Sequence, residues 1–354
     1  MMQFLIMVAA VLFPSTSVFS ETTDNTQGST QQKHVKVLTV GNSFTNNATE
    51  LLSEVVENSG HLITHKRLSI GGSSLQLHRN QAGDPSTTAD AKYSNGETLH
   101  EALLSEHWDF VTLQQVSTQS HDVSTYQPYA SDLLDFIYRF APQAEIVIHK
   151  TWAYRCDDPR FQQTAKPRSG QPTSQRAMYE GLSDAYRSIC RDLNTGMIPV
   201  GDAFWRADQD PEYGYKPDMT FEPSSAKYPN LPNQEHSLHV GYRWSQRGGN
   251  NKIILDGHHA GLAGKYLAAC VWYACLFDED PCNLDYAPKG ISVDYATFLR
   301  QTAREVTAKG GQVLVGKTTI AEMRHDVTPK RYRLQARASE IDPRTREYPA
   351  IGFN

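Results

Sequence analysis

Apolar positions along this chain fall into short β-branched runs separated by stretches with helical spacing. The first run, Val35-Lys36-Val37-Leu38-Thr39-Val40, climbs to Gly41-Asn42-Ser43. A helical pattern follows, with Asn46 or Asn47 as its cap and Leu51, Leu52, Val55 and Val56 on one side, closing near Gly60. Residues 65–70 alternate as a second strand that stops at Gly71-Gly72. Residues 109–115 form a third, 145–150 a fourth and 197–204 a fifth, where Pro199 marks an edge position. Helical spacing fills 98–106, 126–140 and 173–193. Strands alternating with helices predict an α/β fold, a three-layer α/β/α sandwich around a five-stranded parallel sheet.

The remainder divides by composition. Residues 1–20 are apolar at their core and end in small residues, which reads as a signal peptide, and 21–33 as a flexible polar leader. The folded domain is expected over 34–309, with a turn-rich loop at 82–95. An irregular segment at 205–250, rich in aromatics and including Trp244, breaks the strand–helix rhythm and reads as an insertion near the site. Helices are expected at 263–277 and 293–309, then a C-terminal extension at 310–354 with a possible strand at 312–315.

Charge and cysteine content narrow the class. The net charge is −5 with no basic block, which argues against nucleic acid and an anionic membrane as partners. The five cysteines lack zinc-type spacing; an odd number in an exported chain implies at most two bridges. Localisation is expected to be secreted or periplasmic, with no membrane insertion after signal cleavage. His236 and His239 are three apart, but Pro232 and its surroundings argue against a helix that could present them to a metal. No metal or cofactor is called for.

Four short stretches carry candidate chemistry. Gly41-Asn42-Ser43, Gly71-Gly72 and Gln114-Gln115 end successive strands, which in a parallel sheet all meet at one edge. The fourth, Asp256-Gly257-His258-His259, precedes a helix and reads as a turn. A serine needs an adjacent base, imidazole suits that role near neutral pH, and a carboxylate holds the ring's tautomer. Asp256 and His259, three apart, can share a face; His258 is the alternative base.

These motifs, in this order, resemble the SGNH (GDSL-like) serine hydrolases over roughly residues 35–309. Val-Gly-Asn-Ser-Phe, Leu-Gln-Gln-x-Ser and Asp-Gly-x-His-x-x-x-x-Gly-x-Tyr-Leu-Ala-Ala look like a bacterial branch of mostly uncharacterised members. The resemblance implies a flavodoxin-like core and a catalytic triad of Ser43, His259 and Asp256. It also implies an oxyanion hole from the backbone N–H groups of Ser43 and Gly72 with a side-chain amide, Gln114 in preference to Gln115. Asn42 replaces the Asp of the Gly-Asp-Ser signature, and Gln stands where the wider superfamily has Asn.

The expected activity is ester hydrolysis through an acyl-enzyme. The export signal, the aromatic insertion and the resemblance favour a carbohydrate ester as substrate partner, with O-deacetylation of a poly- or oligosaccharide as the specific expectation. Gln115, His149, Trp152 and Trp244 are candidate substrate-binding residues. The alternatives are a lipid or thioester hydrolase of the same mechanism, and a non-catalytic glycan-binding protein.

Overall fold

A computed structural model describes residues 31–82, 92–162 and 171–308. The signal peptide, most of the leader, the greater part of the 82–95 loop and the 312–315 strand lie outside the described residues.

The chain begins with β1 (His34–Gly41), whose side chains are almost all buried, as a strand covered on both faces requires. Ser43 starts α1 (Ser43–Ala48), followed by α2 (Leu52–Asn58) and β2 (Leu62–Ser69). Then come α3 (Leu75–Ala82) and α4 (Leu99–Leu104), which Thr98 and Glu101 cap reciprocally. The next elements are β3 (Phe110–Leu113), α5 (Tyr129–Phe140), β4 (Glu145–His149) and α6 (Gln175–Leu193). β5 (Gly196–Ile198) and α7 (Val200–Asp208) lead to a hairpin of β6 (His239–Ser245) and β7 (Lys252–Ala260). Two helices, α8 (Leu262–Phe277) and α9 (Val293–Ala308), complete the described chain.

Five strands form one parallel sheet in the order β2-β1-β3-β4-β5. The chain leaves β1 for β2 on one side and returns to β3 on the other. The crevice between β1 and β3 is therefore the topological switch point, where such sheets bind ligands. Ser43 stands at the head of that crevice. The helix α8 is apolar nearly all round; only Leu262, Lys265 and Cys275 escape full burial. It packs against α2, α7 and α9, which makes it a core element.

The structure corrects two local readings. The fifth strand is only three residues long, and Pro199 caps α7 where 200–204 were expected to be extended. Its β-branched and aromatic residues look strand-like, but their helical spacing buries Val200, Ala203, Phe204 and Ala207 on one face. Asp256 to His259 lie on β7, not on a turn. No helix among the described residues is long and apolar enough to cross a membrane. All five cysteines are free thiols, with Cys270 buried as a small apolar group would be.

Candidate active site

Asn42 builds the nucleophile turn. Its Oδ1 accepts from the N–H of Phe44 at 3.0 Å, capping α1, and its Nδ2 donates to the Ser73 carbonyl at 2.9 Å. One amide thus shapes the turn and draws in the loop that carries Gly72. The Gly41 carbonyl anchors the same loop, accepting from Ile70 N–H at 3.2 Å and the Ser73 hydroxyl at 3.2 Å. Gly72 is exposed with φ +68°, a left-handed conformation that glycine adopts without strain. Ser43 occupies the first position of α1, so its N–H has no partner within the helix.

The base arrives on β7. Along the hairpin, Gly241 pairs with Asp256 and His239 with Ala260, so two steps on β6 match four on β7. That irregularity breaks strict alternation and lets residues three apart face the same way. His259 Nε2 lies 2.9 Å from Ser43 Oγ, and its Nδ1 lies 2.9 Å from Asp256 Oδ2. The His259 backbone N–H also donates to Asp256 Oδ1 at 3.1 Å. Burial pushes the Asp256 carboxyl up, but the two histidines and that backbone N–H outweigh it and hold the group well below the usual carboxylate range. It stays ionised, as the orienting member of a triad must.

His258 Nδ1 sits 3.0 Å from Asp256 Oδ1 and is the second imidazole on that carboxylate. The His258 carbonyl accepts from Trp152 Nε1 at 2.9 Å. Beneath, Phe44, Trp152 and Phe204 form a buried stack, with centroids 4.6 Å and 4.5 Å apart in turn.

A family model described as a domain of unknown function (DUF4886) matches residues 36–204. Among solved structures, a DUF4886 family protein from Bacteroides uniformis is 23% identical, with a TM-score of 0.58 over 78% of this chain and 95% of that one. A candidate SGNH hydrolase from Slackia heliotrinireducens is 22% identical, with a TM-score of 0.42 over 69% of this chain and 99% of that one. No curated protein sequence matches. The chain shares the fold of the Bacteroides uniformis DUF4886 family protein.

Within that fold the remaining expected residues take other positions. Gln114 is fully buried; its Oε1 accepts from Asn42 N–H at 3.2 Å and from Thr45 Oγ1 at 3.0 Å, while its amide nitrogen donates to the Gln115 carbonyl. Gln115 is equally committed, accepting from Leu75 N–H at 3.0 Å and donating to the Thr125 carbonyl at 3.0 Å. Both amides brace strand ends.

His149 and Trp152 are corrected as substrate contacts, since both are fully buried. His149 meets Thr45 Oγ1 at 3.3 Å, and burial lowers its pKa to about 3, so it is a neutral core imidazole. Trp244 is spent within the insertion, its Nε1 donating to the Asn230 carbonyl at 3.0 Å and its ring against Tyr228. Other insertion aromatics are likewise occupied: Tyr213 stacks on Phe298, Trp205 on Tyr179, and Phe221 meets Tyr242.

Two residues with no motif behind them support the site. Asn47 Oδ1 accepts from Ala260 N–H at 3.1 Å. Arg155, fully buried, holds Asp157 with two bonds of 2.6 and 2.9 Å and Gln234 at 2.9 Å, while its own N–H donates to the Gly257 carbonyl at 2.7 Å. It pins the insertion to the strand bearing Asp256 and His259. Asp157 is a near neighbour in sequence, but Ala260, Gln234 and Gly257 lie far from their partners, and only the fold reveals those contacts.

Proposed function

We propose that this chain is an exported serine esterase that removes short acyl groups, acetyl above all, from a poly- or oligosaccharide. The observation that carries the reading is the continuous chain from Ser43 Oγ through His259 to Asp256, two contacts of 2.9 Å each. His259 Nε2 takes the hydroxyl proton as Oγ attacks the ester carbonyl, and backbone N–H groups meet the developing oxyanion. His259 then returns that proton to the leaving alcohol. Water, activated by the same nitrogen, cleaves the acyl-enzyme and regenerates Ser43.

A small acyl group fits the packed aromatic floor of Phe44, Trp152 and Phe204, which leaves no depth beneath the triad for a long chain. A sugar leaving group suits a nucleophile that is itself part-exposed. Export follows the reading of residues 1–20 as a signal. The test is acetate release from a panel of acetylated polysaccharides, with p-nitrophenyl acetate and longer p-nitrophenyl esters alongside. The expected result is turnover that falls with acyl length and vanishes in Ser43→Ala. No turnover on any ester, or full activity in Ser43→Ala, overturns the reading.

A further inference from the structure

Asp256 has two oxygens, and the proposed acyl-transfer chemistry uses only the one that holds the His259 ring. The other accepts from the His259 backbone N–H and faces His258. His258 Nδ1 is buried, 3.0 Å from Asp256 Oδ1. An imidazole nitrogen so close to a carboxylate oxygen needs a proton or a cation between the two. The two rings lie 4.0 Å apart, centroid to centroid, on the same carboxylate. One ligand atom from each of Asp256, His258 and His259 lies within 4.8 Å of the others.

Two imidazoles and a carboxylate are a donor set for Zn²⁺ and its first-row neighbours. Ligands at about 2.0–2.1 Å around a tetrahedral ion are separated by roughly 3.3 Å. The three ligand atoms, all within 4.8 Å of one another, reach that spacing by side-chain rotation, and water can complete the shell because all three residues are part-exposed. The guanidinium of Arg160, which would oppose a cation there, is neutralised by Asp158 through contacts of 2.8 and 2.6 Å.

We propose that Asp256, His258 and His259 form an inhibitory site for a divalent transition-metal ion, a regulation that rests on the serine-esterase reading of the same residues. In the working triad, the proton of neutral His259 sits on Nδ1, shared with Asp256, and the Nε2 lone pair faces Ser43. Coordination through Nδ1 donates that nitrogen's lone pair to the metal and moves its proton to Nε2. Nε2 then carries a hydrogen toward Ser43 Oγ and cannot accept one. The ion stops acylation without touching the nucleophile, and removing it restores the original tautomer.

The test uses Zn²⁺ on the full chain, in two readouts. Calorimetry on Ser43→Ala is expected to show one ion per chain, with affinity at least tenfold weaker in Ser43→Ala/His258→Gln. In active protein, Zn²⁺ is expected to suppress p-nitrophenyl acetate hydrolysis reversibly, with EDTA restoring the rate. The half-inhibitory concentration, taken relative to each protein's own metal-free rate, rises at least tenfold in His258→Gln. His258→Asn serves if the glutamine variant does not fold. Absence of stoichiometric binding, or inhibition unchanged by loss of His258, overturns the metal site. Binding to Ser43→Ala without any esterase activity in the wild type would sink the esterase reading and leave the site standing.

Discussion

The side chain of Asn47, one turn after the nucleophile, accepts a hydrogen bond from the backbone N–H of Ala260, the residue that follows His259. This 3.1 Å contact is a direct tie between the helix that begins at Ser43 and the strand that carries the base. Ser43 and His259 are 216 positions apart, so their 2.9 Å contact depends on such ties.

Asn47→Ala should therefore impair alignment more than folding. One hydrogen bond at a part-exposed position contributes about 1 kcal/mol to stability. Misplacement of a base by a fraction of an ångström acts on the chemical step, and a fall in kcat on the order of tenfold with little change in KM is expected. Asn47→Asp keeps the acceptor oxygen and should recover most of the rate. Steady-state kinetics with a thermal melt separates the two effects.

Gly257 makes a second fine fit. A Cβ there would meet Asp158 Oδ2 at 2.5 Å and Asp158 Cβ at 3.1 Å. Asp158 cannot swing aside freely, because Arg160 grips both of its oxygens. Gly257→Ala should lower stability by about 1–3 kcal/mol, the usual cost of overpacking, and reduce turnover by disturbing Asp256 next door. Gly257→Ala/Asp158→Ala should be less destabilised than the sum of its single changes, read by denaturant melts.

Gln114 separates two roles. As a brace, its Oε1 satisfies Asn42 N–H and Thr45 Oγ1 in a fully buried place. Gln114→Leu would leave the Asn42 N–H unpaired and the Thr45 hydroxyl with His149 alone, and should cost roughly 1–3 kcal/mol of stability, seen as a lower melting temperature alongside lost activity. A fall in kcat with an unchanged melting temperature would return Gln114 to the oxyanion hole and refute the bracing role.

The parallel sheet, its strand ends and the three residues Ser43, Asp256 and His259 were legible because each has a local signature. A β-branched run ending in Gly-x-Ser is one, and Asp-x-x-His is another. The carrier of Asp256 and His259 was not legible, since a hairpin with a register shift and a turn can present the same spacing. The 200–204 segment misled for a related reason: Val, Ala and Phe after a strand suit either period, and Pro199 decides for the helix by capping it. His149 and Trp152 were chosen by residue type and position, whereas their burial depends on what α1, α7 and α8 bring over them. The contacts of Asn47 with Ala260, and of Arg155 with Gln234 and Gly257, are likewise set by tertiary contact alone.

Buried histidines should govern acid stability. His78, His149 and His239 are all buried, and desolvation lowers their pKa values to about 4, 3 and 3. Burial is the main cause in each case, and it outweighs the carbonyl contacts of His78 and His239, which favour the charged form. His78 meets Tyr93 Oη at 2.9 Å and the Gly41 carbonyl at 3.1 Å, and His149 meets Thr45. His239 meets the Ala153 carbonyl at 3.1 Å, with Arg155, Asp158 and His258 also in electrostatic reach. In the unfolded chain these rings take up protons near pH 6.5, while in the fold they do not until about pH 3–4. The unfolded state thus binds more protons across that window, and stability is complete above about pH 6.5 and lost as pH falls toward 3. Each ring can contribute up to about 1.4 kcal/mol per pH unit in that window. Asp208 works in the opposite sense: burial raises its carboxyl to about 7, so its contribution is present below about pH 4 and fades as pH rises toward 7. His65, also lowered to about 3 by burial, makes four histidines against the raised carboxyls of Asp208 and Glu145, which leaves a net loss on acidification between pH 6.5 and 4. Denaturant melts across pH 4–7 should show that slope, and His149→Gln should flatten it by roughly one proton's worth. A slope unchanged in that variant would mean that His149 already carries a proton in the folded protein.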